Sequence, residues 1–112
     1  MIDAAQIGEI IAVYKKYGWQ LRRILLSADL KKQVDGNIPH VVEGVRVKDA
    51  DIDAAWFSRP PTPGGVAWEL RHLSKTPYAL LEYIDETDAD FEHALRDVEV
   101  RLRENVGRAK SA

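Results

Sequence analysis

The sequence contains no cysteine, which removes disulfides, thiolate nucleophiles and cysteine-held metals together and suits a reducing compartment. Its three histidines, His40, His72 and His93, include no pair at the four-residue spacing that sets two imidazoles on one metal ion. Excess charge of either sign is also missing. Sixteen basic and 18 acidic side chains leave a formal net charge of -2, so no overall basic field gathers nucleic acid or anionic membrane around the chain. Purely apolar runs are only a few residues long, and the start, Met1-Ile2-Asp3-Ala4-Ala5, has no basic segment leading into an apolar one. The expectation is a cytoplasmic protein that does not enter a membrane. No glycine-rich loop opens a helix to cradle phosphate, and no serine sits in a nucleophile elbow.

What remains is a chain of 112 residues, enough for one domain that buries roughly two thirds of its unfolded surface without staples. Residues 1-107 are expected to form that domain and 108-112 a frayed tail.

Two helices are written at the ends. Asp3 and Gln6 have capping-box spacing, Ile7, Ile10, Ile11, Tyr14 and Tyr17 follow on one stripe, and Gly18 supplies a left-handed stop. At the other end Thr87 is placed to cap, with Asp88, Asp90 and Glu92 at the positive end of the dipole. Phe91, Leu95, Val98, Leu102 and Val106 then repeat at three- and four-residue spacing, and Gly107 is a natural stop.

Between them the period changes to two. Residues 19-26 predict a strand, although the apolar positions switch parity between Leu21 and Ile24, which leaves its inward face open. Ser27 caps a short helix through Val34, and Asp35-Gly36-Asn37 stops it. Residues 39-53 read either as small edge strands, His40-Val41-Val42 and Val45-Arg46-Val47, or as a packed loop.

A three-strand meander follows about the loop Pro60-Pro61-Thr62-Pro63-Gly64-Gly65 and the turn Ser74-Lys75-Thr76-Pro77. Simple pairing sets Phe57 opposite Trp68, Ala55 opposite Leu70 and Asp53 opposite His72. A loop of that length does not pin the register, and a slip by one residue exchanges the partners. The third run is apolar on both sides, with Ala79, Leu81 and Tyr83 on one and Tyr78, Leu80 and Ile84 on the other, so both faces call for cover.

The expected fold is therefore α+β: a two-layer domain in which an antiparallel sheet, the meander plus one or two further strands, packs against the N- and C-terminal amphipathic helices. Placing both helices on one face leaves the other face, with Trp56 and Leu73, greasy enough to call for cover, either from segment 35-50 folded over it or from a second copy of the chain in a twofold homodimer.

Candidate chemistry is sparse. Asp49, Asp51 and Asp53 have the alternation that begins a calcium loop, but Ala54 stands where its glycine belongs and Pro60 where its bidentate glutamate belongs. The acidic run Asp85, Glu86, Asp88, Asp90 and Glu92 reads as a helix start rather than a cation site. Asp53 with Glu69-Leu70-Arg71 loosely follows the acid and Glu-x-Lys order of metal-dependent nucleases, with arginine in place of lysine. No metal or cofactor is expected, and catalysis is less expected than binding. The candidate binding set is Trp56, Ser58, Arg59, Glu69 and Arg71, with Arg22 or Arg23 beside it. Tryptophan and arginine are enriched at protein interfaces, which favours self-association as a homodimer or another protein partner. The same residues also describe a sheet platform for single-stranded nucleic acid, and a small enzyme or ligand pocket at a dimer interface is the further alternative.

Overall fold

Asp3 closes the capping box that its spacing predicts. Its carboxylate accepts the Gln6 N–H at 2.8 Å, while the Gln6 side chain accepts the Asp3 N–H at 2.9 Å. The computed structural model describes residues 3-34, 45-59, 66-74 and 78-111. Helix α1 spans Ala4–Lys16. It ends in a Schellman turn, in which the N–H of Trp19 reaches the carbonyl of Tyr14, that of Gly18 reaches Lys15, and Gly18 takes φ +88°. The Tyr14 and Trp19 rings meet edge to face across that turn, at 6.1 Å. Tyr17, placed on the apolar stripe by spacing alone, lies beyond the helix at the cap and is exposed.

Strand β1 (Gln20–Leu26) leads into α2 (Ala28–Val34), whose first turn is capped by the Ser27 hydroxyl through the Leu30 N–H. After residues outside the described set, which include Asp35-Gly36-Asn37 and His40-Val41-Val42, comes β2 (Arg46–Asp49). The meander is β3 (Ala54–Ser58), β4 (Val66–His72) and β5 (Ala79–Ile84), and α3 runs from Phe91 to Ser111. The five strands lie in the order β2-β1-β3-β4-β5. All neighbours are antiparallel except β1 and β2, which are parallel and joined through α2.

The parity switch in β1 has a local cause. Leu21 pairs with Phe57 and Arg23 with Trp56, so Arg22 is the extra residue of a β-bulge. Leu21, Ile24 and Leu26 thereby reach the same side of the sheet, while Leu25 reaches the other.

The meander register is one residue away from the simple pairing. Trp56 lies opposite Leu70, Phe57 opposite Glu69 and Ser58 opposite Trp68. As a result both tryptophans share one face with Leu70, and Phe57 and Ala55 share the other with Ile7 and Ile11 of α1.

The α+β class and the terminal helices packed on an open, mostly antiparallel sheet are as the sequence predicts. The placement of both helices on one face is not. On one side α1 and α2 cover β1 and β3 through Ile7, Ile11, Leu30 and Phe57. On the opposite side Leu95, Val98 and Leu102 of α3 cover Trp56, Trp68, Leu70 and Ile84. Every residue of β3 is consequently buried. The start of α3 also differs, because residues 85-90 are taken up by turns. Thr87 gives its N–H and hydroxyl to Asp85, which holds that carboxyl below its ordinary range, and the helix begins at Phe91. At its far end the helix continues past Gly107.

The two buried indoles differ in one respect. Trp56 Nε1 donates to Glu99 Oε2 at 2.9 Å, whereas Trp68 Nε1 is buried without a partner. Trp56→Phe and Trp68→Phe remove the same ring volume, but only the first breaks a hydrogen bond to a carboxylate. In urea unfolding Trp56→Phe is therefore expected to cost about 1–3 kcal/mol more than Trp68→Phe; equal losses would show that the Glu99 contact contributes nothing.

Candidate functional site

The candidate binding residues do not form one face. Trp56 is 0 % exposed beneath α3, and Ser58, two residues along on the same side, is buried too. Glu69 and Arg71 point to the α1 side, beside Phe57 and Ala55. Arg59 lies past the end of β3, with its guanidinium 4.8 Å from the Trp19 ring centre and donating to the Tyr17 carbonyl at 2.7 Å. Arg22 and Arg23 both serve the α3 side. Arg22 sits over the Trp68 ring at 5.2 Å, and Arg23 forms a two-pronged bond to Glu92 at 2.9 and 2.5 Å. That bond raises the Arg23 pKa and lowers the Glu92 pKa. A base cannot stack on Trp56, and the greasy reverse face that called for a partner is roofed by the chain's own helix.

Other polar groups are turned to structural work. Asp49 pairs with Lys31 at 2.9 Å and Asp51 with Arg103 at 2.6 Å, while Asp53 accepts the Ser27 N–H at 2.7 Å. The three carboxylates thus diverge. His72 lies opposite Ala54 rather than Asp53, with its Nδ1 3.0 Å from Ser74 Oγ. Among the described residues no group of three or more acidic or histidine side chains is placed to hold a metal ion. An open groove of about 290 Å³ between β5 and α3 is lined by Asp85, Asp88, Asp90, Asp97, Phe91 and Arg101, among others. Within it Asp85 is committed to Thr87, and Asp88 to the Asp90 N–H.

On the α1 side, Tyr14 reaches across to the sheet. Its ring stacks on Phe57 at 4.0 Å and its hydroxyl donates to Glu69 Oε2. Burial raises the Tyr14 pKa first, its bond to Glu69 and that carboxylate's charge add to the rise, and Arg71 works against them. A phenol held so firmly in its protonated form is a tether between α1 and β4, and a poor nucleophile or base.

Past this tether the helical cover ends. The cluster under α1 and α2 draws on no side chain of β5. On that side Leu81 stands next to Glu69, Tyr83 next to Ala67 and Ala79 next to Arg71. Leu81 is 50 % exposed and Tyr83 62 %, so of the two faces of β5 only the one under α3 is covered.

Among the described residues both ends of the sheet are open edges, and they differ in kind. β2 is four residues long, and three of the four, Arg46, Lys48 and Asp49, carry charge. β5 is six residues long, Ala79-Leu80-Leu81-Glu82-Tyr83-Ile84, with Glu82 its single charge, no proline and an unbroken register. The sequence contained the signal, in the exposed odd positions of β5; the position of β5 at the end of the sheet could be read only from the fold.

Comparison with known proteins gives no match, whether to family models, to curated proteins or to solved structures.

Because the Tyr14 pKa is raised on folding, its contribution to stability is complete below the unfolded value of 10.0 and is lost as pH climbs beyond it. Tyr14→Phe is expected to flatten the alkaline limb of stability against pH above about 10; an unchanged limb would show that Tyr14 is not the group responsible.

Proposed function

We propose that this chain is a binding protein rather than an enzyme, and that it holds a partner polypeptide by accepting an added strand at the free edge of β5. Strand addition draws affinity from main-chain hydrogen bonds and specificity from alternate side chains. The contrast between the two edges carries the reading. Sheets ordinarily blunt their edges with short strands, charge, proline or bulges, because unpaired N–H and C=O groups template further pairing. β2 follows that rule and β5 does not.

Two further features support it. The outward row Ala79, Leu81 and Tyr83 gives an incoming strand an apolar strip to lie against, and that strip continues inward over Ala67 to the Glu69 and Arg71 side chains. The opposite face of β5 is backed by α3, so the edge is held in place. Binding is thereby relocated from the expected tryptophan and arginine face to the edge strand, with Glu69 and Arg71 as its inner margin. No helix among the described residues is long and apolar enough to cross a membrane, and the proposed partner is a polypeptide.

Peptides selected from a displayed library on the immobilised protein are expected to be extended segments with alternating apolar side chains. Leu81→Lys, at an exposed position that does not support the core, should weaken them at least tenfold, about 1.4 kcal/mol or more. Selected peptides that bind the variant as tightly as the parent chain, or a selection that enriches nothing on a chain that sedimentation shows to be monomeric, would overturn the reading.

A further inference from the structure

We infer that the strand added at β5 is β5 of a second copy, antiparallel about a twofold axis through Leu81. This inference rests on the strand-addition reading above and names the occupant.

Pairing with β4 decides which backbone groups of β5 face outward. The His72 N–H donates to the Tyr78 carbonyl, at 2.9 Å, and these residues lie in register with the pairs Arg71–Ala79 and Leu70–Leu80. Hydrogen-bonded and non-hydrogen-bonded pairs alternate along an antiparallel ladder. Leu80, Glu82 and Ile84 therefore spend their backbone groups on β4, as the Tyr78 carbonyl does. Ala79, Leu81 and Tyr83 direct theirs outward, and these are also the residues whose side chains stand on the uncovered face.

Pairing about Leu81 sets Leu81 opposite its own copy and each Tyr83 opposite an Ala79, so all three outward residues gain hydrogen-bonded partners and each large ring meets a small neighbour. On the α3 side Leu80 then faces Glu82, and each Glu82 brings its own counter-ion, since Arg101 lies 2.5 Å away on α3. Sliding the axis to Glu82 would set two carboxylates directly opposite, which is unfavourable. Sliding it to Leu80 would carry Tyr83 past the start of the partner's strand, which begins at Ala79.

A β5-to-β2 contact would be head to tail and would propagate into filaments, whereas β5 on β5 closes after two copies. The charged, short β2 edge blocks the open-ended alternative. The pseudo-palindrome Ala79-x-Leu81-x-Tyr83, with one small and one large residue equidistant from the axis, is the self-complementary pattern such a contact requires.

The absence of cysteine makes the test clean, because each introduced thiol is the only one in the chain. Leu81→Cys should form a covalent dimer on mild oxidation or with a short bis-maleimide. A mixture of Ala79→Cys and Tyr83→Cys chains should cross-link to each other, since opposite Cα atoms lie about 5.5 Å apart, while Tyr83→Cys alone reaches its own copy only across about 14 Å and should link at least tenfold more slowly. Sedimentation of the parent chain from about 5 to about 500 μM should show a dimer, at the small end of stable interfaces. Leu81→Lys, which sets two ammonium groups together on the axis, should weaken it at least tenfold, and Leu81→Val should keep it. A parent chain that remains monomeric throughout overturns the second copy as occupant. So does a dimer in which Lys48→Cys on β2 links faster than Leu81→Cys. Either result leaves the peptide selection above to decide strand addition on its own, so the two readings fail separately.

Discussion

Burial of β3 on both faces is the constraint from which the rest of the architecture follows. Ala54, Ala55, Trp56, Phe57 and Ser58 are all buried. A strand with large rings on alternate sides needs a layer above it and a layer below it, and one chain of this length has two long helices to supply them. The N-terminal helix goes to the Phe57 side and the C-terminal helix to the Trp56 side. Neighbouring strands adjust to that demand. The bulge at Arg22 turns the two halves of β1 so that Leu21 and Ile24 both reach the α1 layer, and the freed arginines serve the other layer by capping Trp68 and binding Glu92.

Central cover comes at the expense of the periphery. α1 is 13 residues long, about 20 Å at 1.5 Å per residue, and it packs against β1 and β3, where Tyr14 fastens it to Phe57 and Glu69. β5 therefore keeps helical cover on one side only. The two edges then take different characters, one short and charged and the other longer with a single charge, and that asymmetry is what the proposal of binding through β5 rests on.

Much of the local structure was legible from residue order. The capping box at Asp3, the left-handed Gly18, the Ser27 cap and the stripe Phe91, Leu95, Val98, Leu102 were all readable because each depends on neighbours within about four residues. The meander was readable for the same reason. Less visible was the candidate site. Trp56 and the arginines looked like a surface because a tryptophan on a strand can face a partner or a helix equally well, and the hairpin loop leaves the register free by one residue. That one-residue difference moved Trp68 and Leu70 to the Trp56 side and set Glu69 within reach of Tyr14.

By itself the sequence determined the periods, the caps and the balance of charge, and through them an α+β chain with terminal helices. Those properties are local or additive, and no distant contact is needed to evaluate them. Tertiary structure alone decided which helix covers which face, why the pattern in β1 breaks, and which strand ends the sheet. Each of these is a choice between arrangements that satisfy the same local pattern, and only the packing of elements far apart in the chain selects between them.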